Sequence, residues 1–227
     1  MYFVIPGKKY KTEDLDIMDN ENNNIEKCCV VTSDVPLGET FWNNQYEANT
    51  TGWDLGEVSP PLKAYIDQLT DKNKRILIPG CGNSYEADYL LQQGFTHITV
   101  IDIAPILVTR LQEKYQGNAN IKIIQGDFFE HTGEYDLILE QTFFCALDPS
   151  LRENYVAKMH QLLAPGGKLV GILFNREFEQ QGPPFGGSLP VYKLLFDKYF
   201  KPVIFESCHN SFSKRKGTEL FVILSPK

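Results

Sequence analysis

The chain has 227 residues, 42% hydrophobic, 12% aromatic and 22% charged, the make-up of one folded domain with a sizeable core rather than of a disordered chain. With 29 acids against 22 bases its net charge is −7, the wrong sign for neutralising phosphates, so no nucleic-acid partner is expected. No apolar stretch approaches the roughly 18 to 20 residues of a membrane helix, the N-terminus lacks the charge order of a signal peptide, and no CxxC pair occurs among the cysteines, so a cytoplasmic protein with no membrane partner is expected.

Residues 1–34 are polar, hold the run Asp19-Asn20-Glu21-Asn22-Asn23-Asn24, and read as a flexible N-terminal arm ahead of a single domain over 35–227. Ser59-Pro60-Pro61 opens a predicted helix to about Leu69. Alternation then follows: strand Arg75–Pro79, helix Tyr85–Gln93 closing at Gly94, strand His97–Asp102, helix Pro105–Tyr115 and strand Ile121–Gln125. The second half predicts strand Tyr135–Glu140, helix Ser150–Leu163, the stop Ala164-Pro165-Gly166-Gly167, strand Lys168–Phe174 and a helix around Val191–Phe200. Val203–Ser207 and Leu220–Leu224 are separated by a gap too short and polar for a crossover helix, so they should be antiparallel neighbours. The expected fold is α/β: a seven-stranded, mostly parallel sheet with helices on both faces and a C-terminal antiparallel hairpin.

Chemistry concentrates at the ends of these strands. Pro79-Gly80-Cys81-Gly82 is a glycine turn between a buried strand and a helix, where a backbone without Cβ lets a ligand approach. Tyr85 stands where a pyrophosphate-binding G-x-G-x-x-G motif has its third glycine, which argues against an NAD-dependent oxidoreductase. Asp102 ends the next strand, placed to accept hydrogen bonds from both hydroxyls of a ribose. Asp127, in Gly126-Asp127-Phe128, could take an adenine amino group while Phe128 flanks the ring. Each aspartate alone could be a turn or cap residue, and the glycines a plain connector. Together they point to an adenosine bearing something other than a pyrophosphate. Four scattered histidines have no metal-ligand spacing, so no metal is assigned.

Pro79-Gly80-Cys81-Gly82, Asp102, Gly126-Asp127-Phe128 and Leu163-Ala164-Pro165-Gly166-Gly167 resemble the successive motifs of a class I S-adenosylmethionine-dependent methyltransferase. Trp42 with Gly52-Trp53-Asp54, the stretch Gln141-Thr142-Phe143-Phe144-Cys145-Ala146, and Gly182-Pro183-Pro184-Phe185 are similar to the thiopurine S-methyltransferase family, especially its methyl halide and thiol methyltransferase branch. That branch has tyrosine where this chain has Gln141, and a second tryptophan where it has Tyr46. The resemblance implies a segment folded over the cofactor S-adenosylmethionine, with Trp42, Tyr46, Trp53, Gly80, Gly82, Asp102, Ile103, Asp127, Phe128 and Gln141 in contact with it. Aromatic faces suit a sulfonium cation, with ordinary core or a hydrophobic staple as the lesser reading of the two tryptophans.

Phe143, Phe144, Pro184 and Phe185 are the expected substrate contacts, an apolar wall beside a proline-stiffened lid on glycine hinges; core packing and a plain proline-bounded loop are the alternatives. Cys145 reads as packing, and Lys214-Arg215-Lys216 as a solvated hairpin loop, with an anionic substrate at Arg215 the lesser reading. The expected activity is methyl transfer to a small soft nucleophile (a thiol or thiopurine-like sulfur, or else a halide or chalcogen oxyanion) by in-line displacement, with no catalytic acid or base, on a monomer. Oxygen or nitrogen acceptors, and a binder of the cofactor without turnover, are the alternatives.

Overall fold

The apolar run Arg75–Pro79 forms β1, with Ile76, Leu77 and Ile78 at most 2% exposed. A strand covered on both faces needs no polar alternation, which is why this segment reads as continuous hydrophobic sequence. In the computed structural model, which describes residues 36–227, β1 is joined by β2 (His97–Asp102), β3 (Ile121–Gln125), β4 (Tyr135–Gln141) and β5 (Leu163–Phe174), all parallel. The predicted arm over 1–34 lies outside the described residues. Strands β6 (Phe200–Ser207) and β7 (Glu219–Pro226) complete a seven-stranded sheet in the order β3-β2-β1-β4-β5-β7-β6. As the polar connection requires, β7 is antiparallel to β6, and also to β5.

One face is covered by α2 (Pro60–Ile66), α3 (Tyr85–Gln92) and α4 (Pro105–Lys114), through Leu62, Ile66, Leu90, Leu107 and Leu111. The other carries α5 (Arg152–Leu162) and α6 (Leu189–Asp197), through Tyr155, Met159, Leu162, Tyr192 and Phe196. The strand order reverses between β1 and β4, so the carboxyl ends of these neighbouring strands open a crevice, where ligands of open α/β sheets bind.

Among the departures from the sequence reading, three bear on the architecture. Ala164-Pro165-Gly166-Gly167 is not a stop before β5 but lies inside it: Leu163 pairs with Tyr135, and the register slips before Lys168 meets Leu137. Pro165 cannot donate to a ladder and Gly166 takes φ +78°, so the turn chemistry is absorbed as an irregularity at the strand's start. The last helix ends at Asp197 because Phe200, fully buried, already pairs with Pro226. An additional helix, α1 (Glu39–Glu47), precedes the sheet and packs on α4, where Asn43 Oδ1 accepts the Ile106 N–H at 2.9 Å.

Candidate functional site

A cavity of about 310 Å³ occupies the crevice at the carboxyl ends of β1, β2 and β4, within the usual range for small-molecule sites. Its floor begins at the glycine turn. Gly80 and Gly82 have φ +53° and +52°, and Ser84 follows at +59°, three left-handed residues between β1 and α3. The sequence reading gave Gly80 to ligand approach. A Cβ on Gly80 would overlap the Phe143 ring, so the first need for glycine there is close packing against the loop after β4. Gly80→Ala is expected to cost about 1–3 kcal/mol of stability through combined strain and overlap, read as a lower urea midpoint.

Asp102 lies beside that turn, 8% exposed. Its Oδ2 accepts the Gly82 N–H at 3.2 Å and its Oδ1 the Ala104 N–H at 3.0 Å. Burial raises its pKa, and the backbone donors work in the opposite direction. Asp127 caps the short turn Phe128–Glu130 by accepting the Phe129 N–H at 2.8 Å, so the turn-residue alternative describes one of its oxygens while the residue still lines the cavity.

The opposite wall is aromatic. The rings of Trp42 and Tyr46, from α1, meet Trp53 edge to face at 5.5 and 5.7 Å. Burial, with the charge of Asp102 adding to it, pushes the Tyr46 phenol up, so it stays neutral and can donate. Asp54 ties this segment to the glycine turn by accepting from Asn83 Nδ2 and, at 3.3 Å, from the Tyr85 hydroxyl. Tyr85 in the third-glycine position is thus a tether between turn and aromatic segment.

Of the fourteen sequence-derived site residues, Trp42, Tyr46, Trp53, Gly80, Gly82, Asp102, Ile103, Asp127, Phe128, Gln141, Phe143 and Pro184 line this one cavity. Phe144 and Phe185 do not. Phe144 is 1% exposed and packs between Tyr155 (5.0 Å), Tyr192 (5.3 Å) and the Arg152 guanidinium (4.8 Å). Phe185 is 6% exposed, its N–H given to Cys145 O at 2.7 Å.

The glycines beyond Phe185 are not free hinges either. A Cβ on Gly186 would overlap the Arg176 carbonyl, and one on Gly187 the Tyr192 ring, so both are needed for close approach. Arg152 Nη2 further pins the Gly186 carbonyl at 2.7 Å.

Sequence reasoning missed Glu140. This residue is the last but one of β4, 1% exposed, and its Oε1 accepts the N–H groups of Phe143 (2.8 Å) and Phe144 (2.9 Å) while Oε2 accepts the Tyr155 hydroxyl (2.6 Å). This clamp makes successive phenylalanines diverge, Phe143 to the cavity and Phe144 to the core. Burial raises the Glu140 carboxyl to about 7, against the opposing pull of Tyr155 and the two backbone donors. Thr142, between Gln141 and Phe143, is left at φ +60°, an uncommon place for a β-branched residue. Gln141 Oε1 is buried and finds no donor among the described residues.

The lining includes the carboxylates Asp54, Glu57, Glu86, Asp102 and Asp127 but, among the described residues, no lysine, arginine or histidine. Arg215 was expected in solvent, and its side chain is instead 11% exposed, paired with Glu219 at 3.5 Å. Its stretch is a solvated loop only at Lys214 and Lys216.

The model of the thiopurine S-methyltransferase family matches residues 37–220. A probable thiol methyltransferase 2 of Arabidopsis thaliana is 32% identical over 184 residues, 78% of this chain and 81% of the relative. A thiocyanate methyltransferase 1 of Brassica oleracea is 27% identical over 187 residues, 80% and 82% of the two chains. Among solved structures, the Burkholderia thailandensis 1,6-didemethyltoxoflavin-N1-methyltransferase with bound S-adenosylhomocysteine superposes with a TM-score of 0.67 at 19% identity, covering 83% of this chain and 86% of its own. The last similarity speaks to the fold.

Proposed function

The chain belongs to the thiopurine S-methyltransferase family and is an S-adenosylmethionine-dependent methyltransferase, and from that premise we propose that its acceptor is a small soft sulfur nucleophile, a thiol or thiopurine-like sulfur. The observation that carries this reading is the chemistry of the cavity wall: aromatic and apolar side chains with carboxylates and, among the described residues, no cation. S-adenosylmethionine, when bound, supplies a methyl group on a sulfonium, which the acceptor takes by in-line displacement.

The residues fit such a ligand. Trp42, Tyr46 and Trp53 offer faces to a cation, an attraction of about 2 kcal/mol when desolvated. Asp102 holds the ribose hydroxyls, and Asp127 takes the adenine amino group with Phe128 beside the ring. Gly80, Gly82 and Ile103 supply close backbone contacts. Gln141 brings its unpartnered Oε1, which a donor on the ligand would satisfy.

Phe143 and Pro184 form the acceptor side and exclude water. An anion entering there sheds its hydration without any protein cation to receive it. A thiol can enter neutral and, with a pKa of about 8.5, release its proton to water at the cavity mouth as its sulfur takes the methyl group, so no dedicated general base is needed. This ranks thiols above halides and chalcogen oxyanions. The same reading assigns residues 35–227 to the catalytic domain and has the enzyme act on small molecules as a cytoplasmic monomer, without nucleic-acid or membrane partners. Among the described residues no helix is long and apolar enough to cross a membrane, and Cys81, Cys145 and Cys208 are free thiols.

The direct test is a panel of neutral thiols, thiopurines, iodide and tellurite with methyl-labelled cofactor. Thiols should be methylated fastest; transfer to oxygen or nitrogen acceptors alone, or cofactor binding with no turnover, rejects the proposal. Phe143→Ala and Pro184→Ala are expected to change relative kcat/KM among thiols by about tenfold, the scale of a reshaped apolar pocket. Cofactor affinity should stay within about twofold, and an unaltered acceptor profile removes these two residues from the acceptor site.

A further inference from the structure

Arg215 sits in a stretch of basic residues, yet its guanidinium is turned into this chain, with a ring, a carboxylate and a carbonyl around it. It lies over the Phe174 ring at 5.2 Å, and Nη1 stands 3.5 Å from the carboxylate of Glu219, itself 4% exposed. Nη2 donates to the Trp53 carbonyl at 2.7 Å, across 162 residues of chain. Trp53 is the residue on which Trp42 and Tyr46 both pack, and Asp54 after it is bonded to the glycine turn. A charged donor on a carbonyl is about twice as strong as a neutral one, and this one joins the loop before β7 to the middle of the aromatic segment.

We propose that Arg215 is a positioning residue that latches the aromatic segment over the cofactor cavity through the Trp53 carbonyl, and does not receive an anionic acceptor. Its Nη2 is taken by the Trp53 carbonyl, its charge is balanced by Glu219 at ion-pair distance although Nη1 makes no hydrogen bond, and it does not line the cavity. Losing the latch frees Trp53, and through it the ring contacts that hold Trp42 and Tyr46 against the site. This inference rests on the reading that these three rings form the cofactor wall.

The chain has two tryptophans, Trp42 and Trp53, so emission excited selectively at tryptophan, leaving its 11 tyrosines dark, reports this segment. Wild type, Arg215→Lys and the double variant Arg215→Met/Glu219→Gln are titrated with S-adenosylhomocysteine by tryptophan emission, then assayed with a neutral arenethiol and its carboxylated analogue. The double variant removes both buried charges together, so no uncompensated carboxylate remains. Wild-type emission that ignores S-adenosylhomocysteine overturns the cofactor reading itself. Where the wild type responds, the latch requires red-shifted emission and a roughly tenfold higher Kd in the variants, with the preference between the two thiols unchanged. Unchanged emission and Kd, or activity lost only with the carboxylated thiol, overturns the latch. Arg215→Lys, which keeps a cation opposite Glu219, decides if the double variant does not fold.

Discussion

Asp102→Ala is expected to raise the dissociation constant for S-adenosylhomocysteine about 100-fold. The carboxylate is nearly excluded from solvent, and its two oxygens are held in place by the N–H groups of Gly82 and Ala104. An acceptor fixed before binding costs little ordering when the ribose arrives. Hydrogen bonds to a charged partner are worth about 1.5–3 kcal/mol each, and roughly 3 kcal/mol for the pair, after imperfect geometry, corresponds to about two decades of affinity.

S-adenosylmethionine should suffer the same factor, because Asp102 serves the ribose and not the sulfonium. Asp102→Asn keeps one oxygen for a backbone donor and controls for local unfolding. Calorimetry giving wild-type affinity for a folded Asp102→Ala protein would remove the adenosine from this site.

Different parts of the molecule were legible in sequence to different degrees, for physical reasons. β1, β2 and β3 were readable to the residue because each is an apolar run cut off by Pro79, Asp102 or Gly126. α1 was not. Its aromatic stripe, Phe41, Trp42 and Tyr46, faces a cavity rather than a core, and only Tyr46 is buried, so the helical period is not completed by packed aliphatic residues. The spacing of Trp42 and Tyr46, i and i+4 after Gly38, is the signal that could have found it.

Phe144 and Phe185 show the limit of reading a motif as a unit. Both sit beside genuine cavity residues in sequence, but a 3₁₀ turn after Phe143 sends the next ring to the opposite side. That divergence is imposed by Glu140, which in the run Tyr135–Gln141 looks like an ordinary polar strand residue. Arg215 was misread for a related reason: Trp53, whose carbonyl its guanidinium meets, lies 162 residues away in the chain and is invisible in the nearby sequence.

Glu140→Gln should remove a pH dependence of stability that the wild type carries. The carboxyl titrates at about 7 in the folded chain against 4.5 in the reference state. Below pH 4.5 it is protonated in both states and contributes nothing. Between 4.5 and 7 the unfolded chain has released the proton and the folded chain keeps it, so stability falls as pH rises. Above 7 the full penalty of a buried carboxylate is present, on the order of 3 kcal/mol for this difference in pKa.

Glutamine keeps an oxygen for the Phe143 and Phe144 N–H groups and presents its amide to the Tyr155 oxygen, which can turn to accept. The variant should therefore match the wild type near pH 4.5 and exceed it by on the order of 2 kcal/mol near pH 8, in urea unfolding at both pH values. Glu140→Ala instead strips the acceptors from three buried donors and should lose about 3 kcal/mol or more at pH 8. It also lets Phe143 leave the glycine turn, so its acceptor KM should rise while Glu140→Gln keeps the wild-type value. A stability difference between Glu140→Gln and wild type that is the same at both pH values would mean the buried carboxyl is not titrating in this range. The clamp would then be a permanently charged one, with its cost met by the three donors alone.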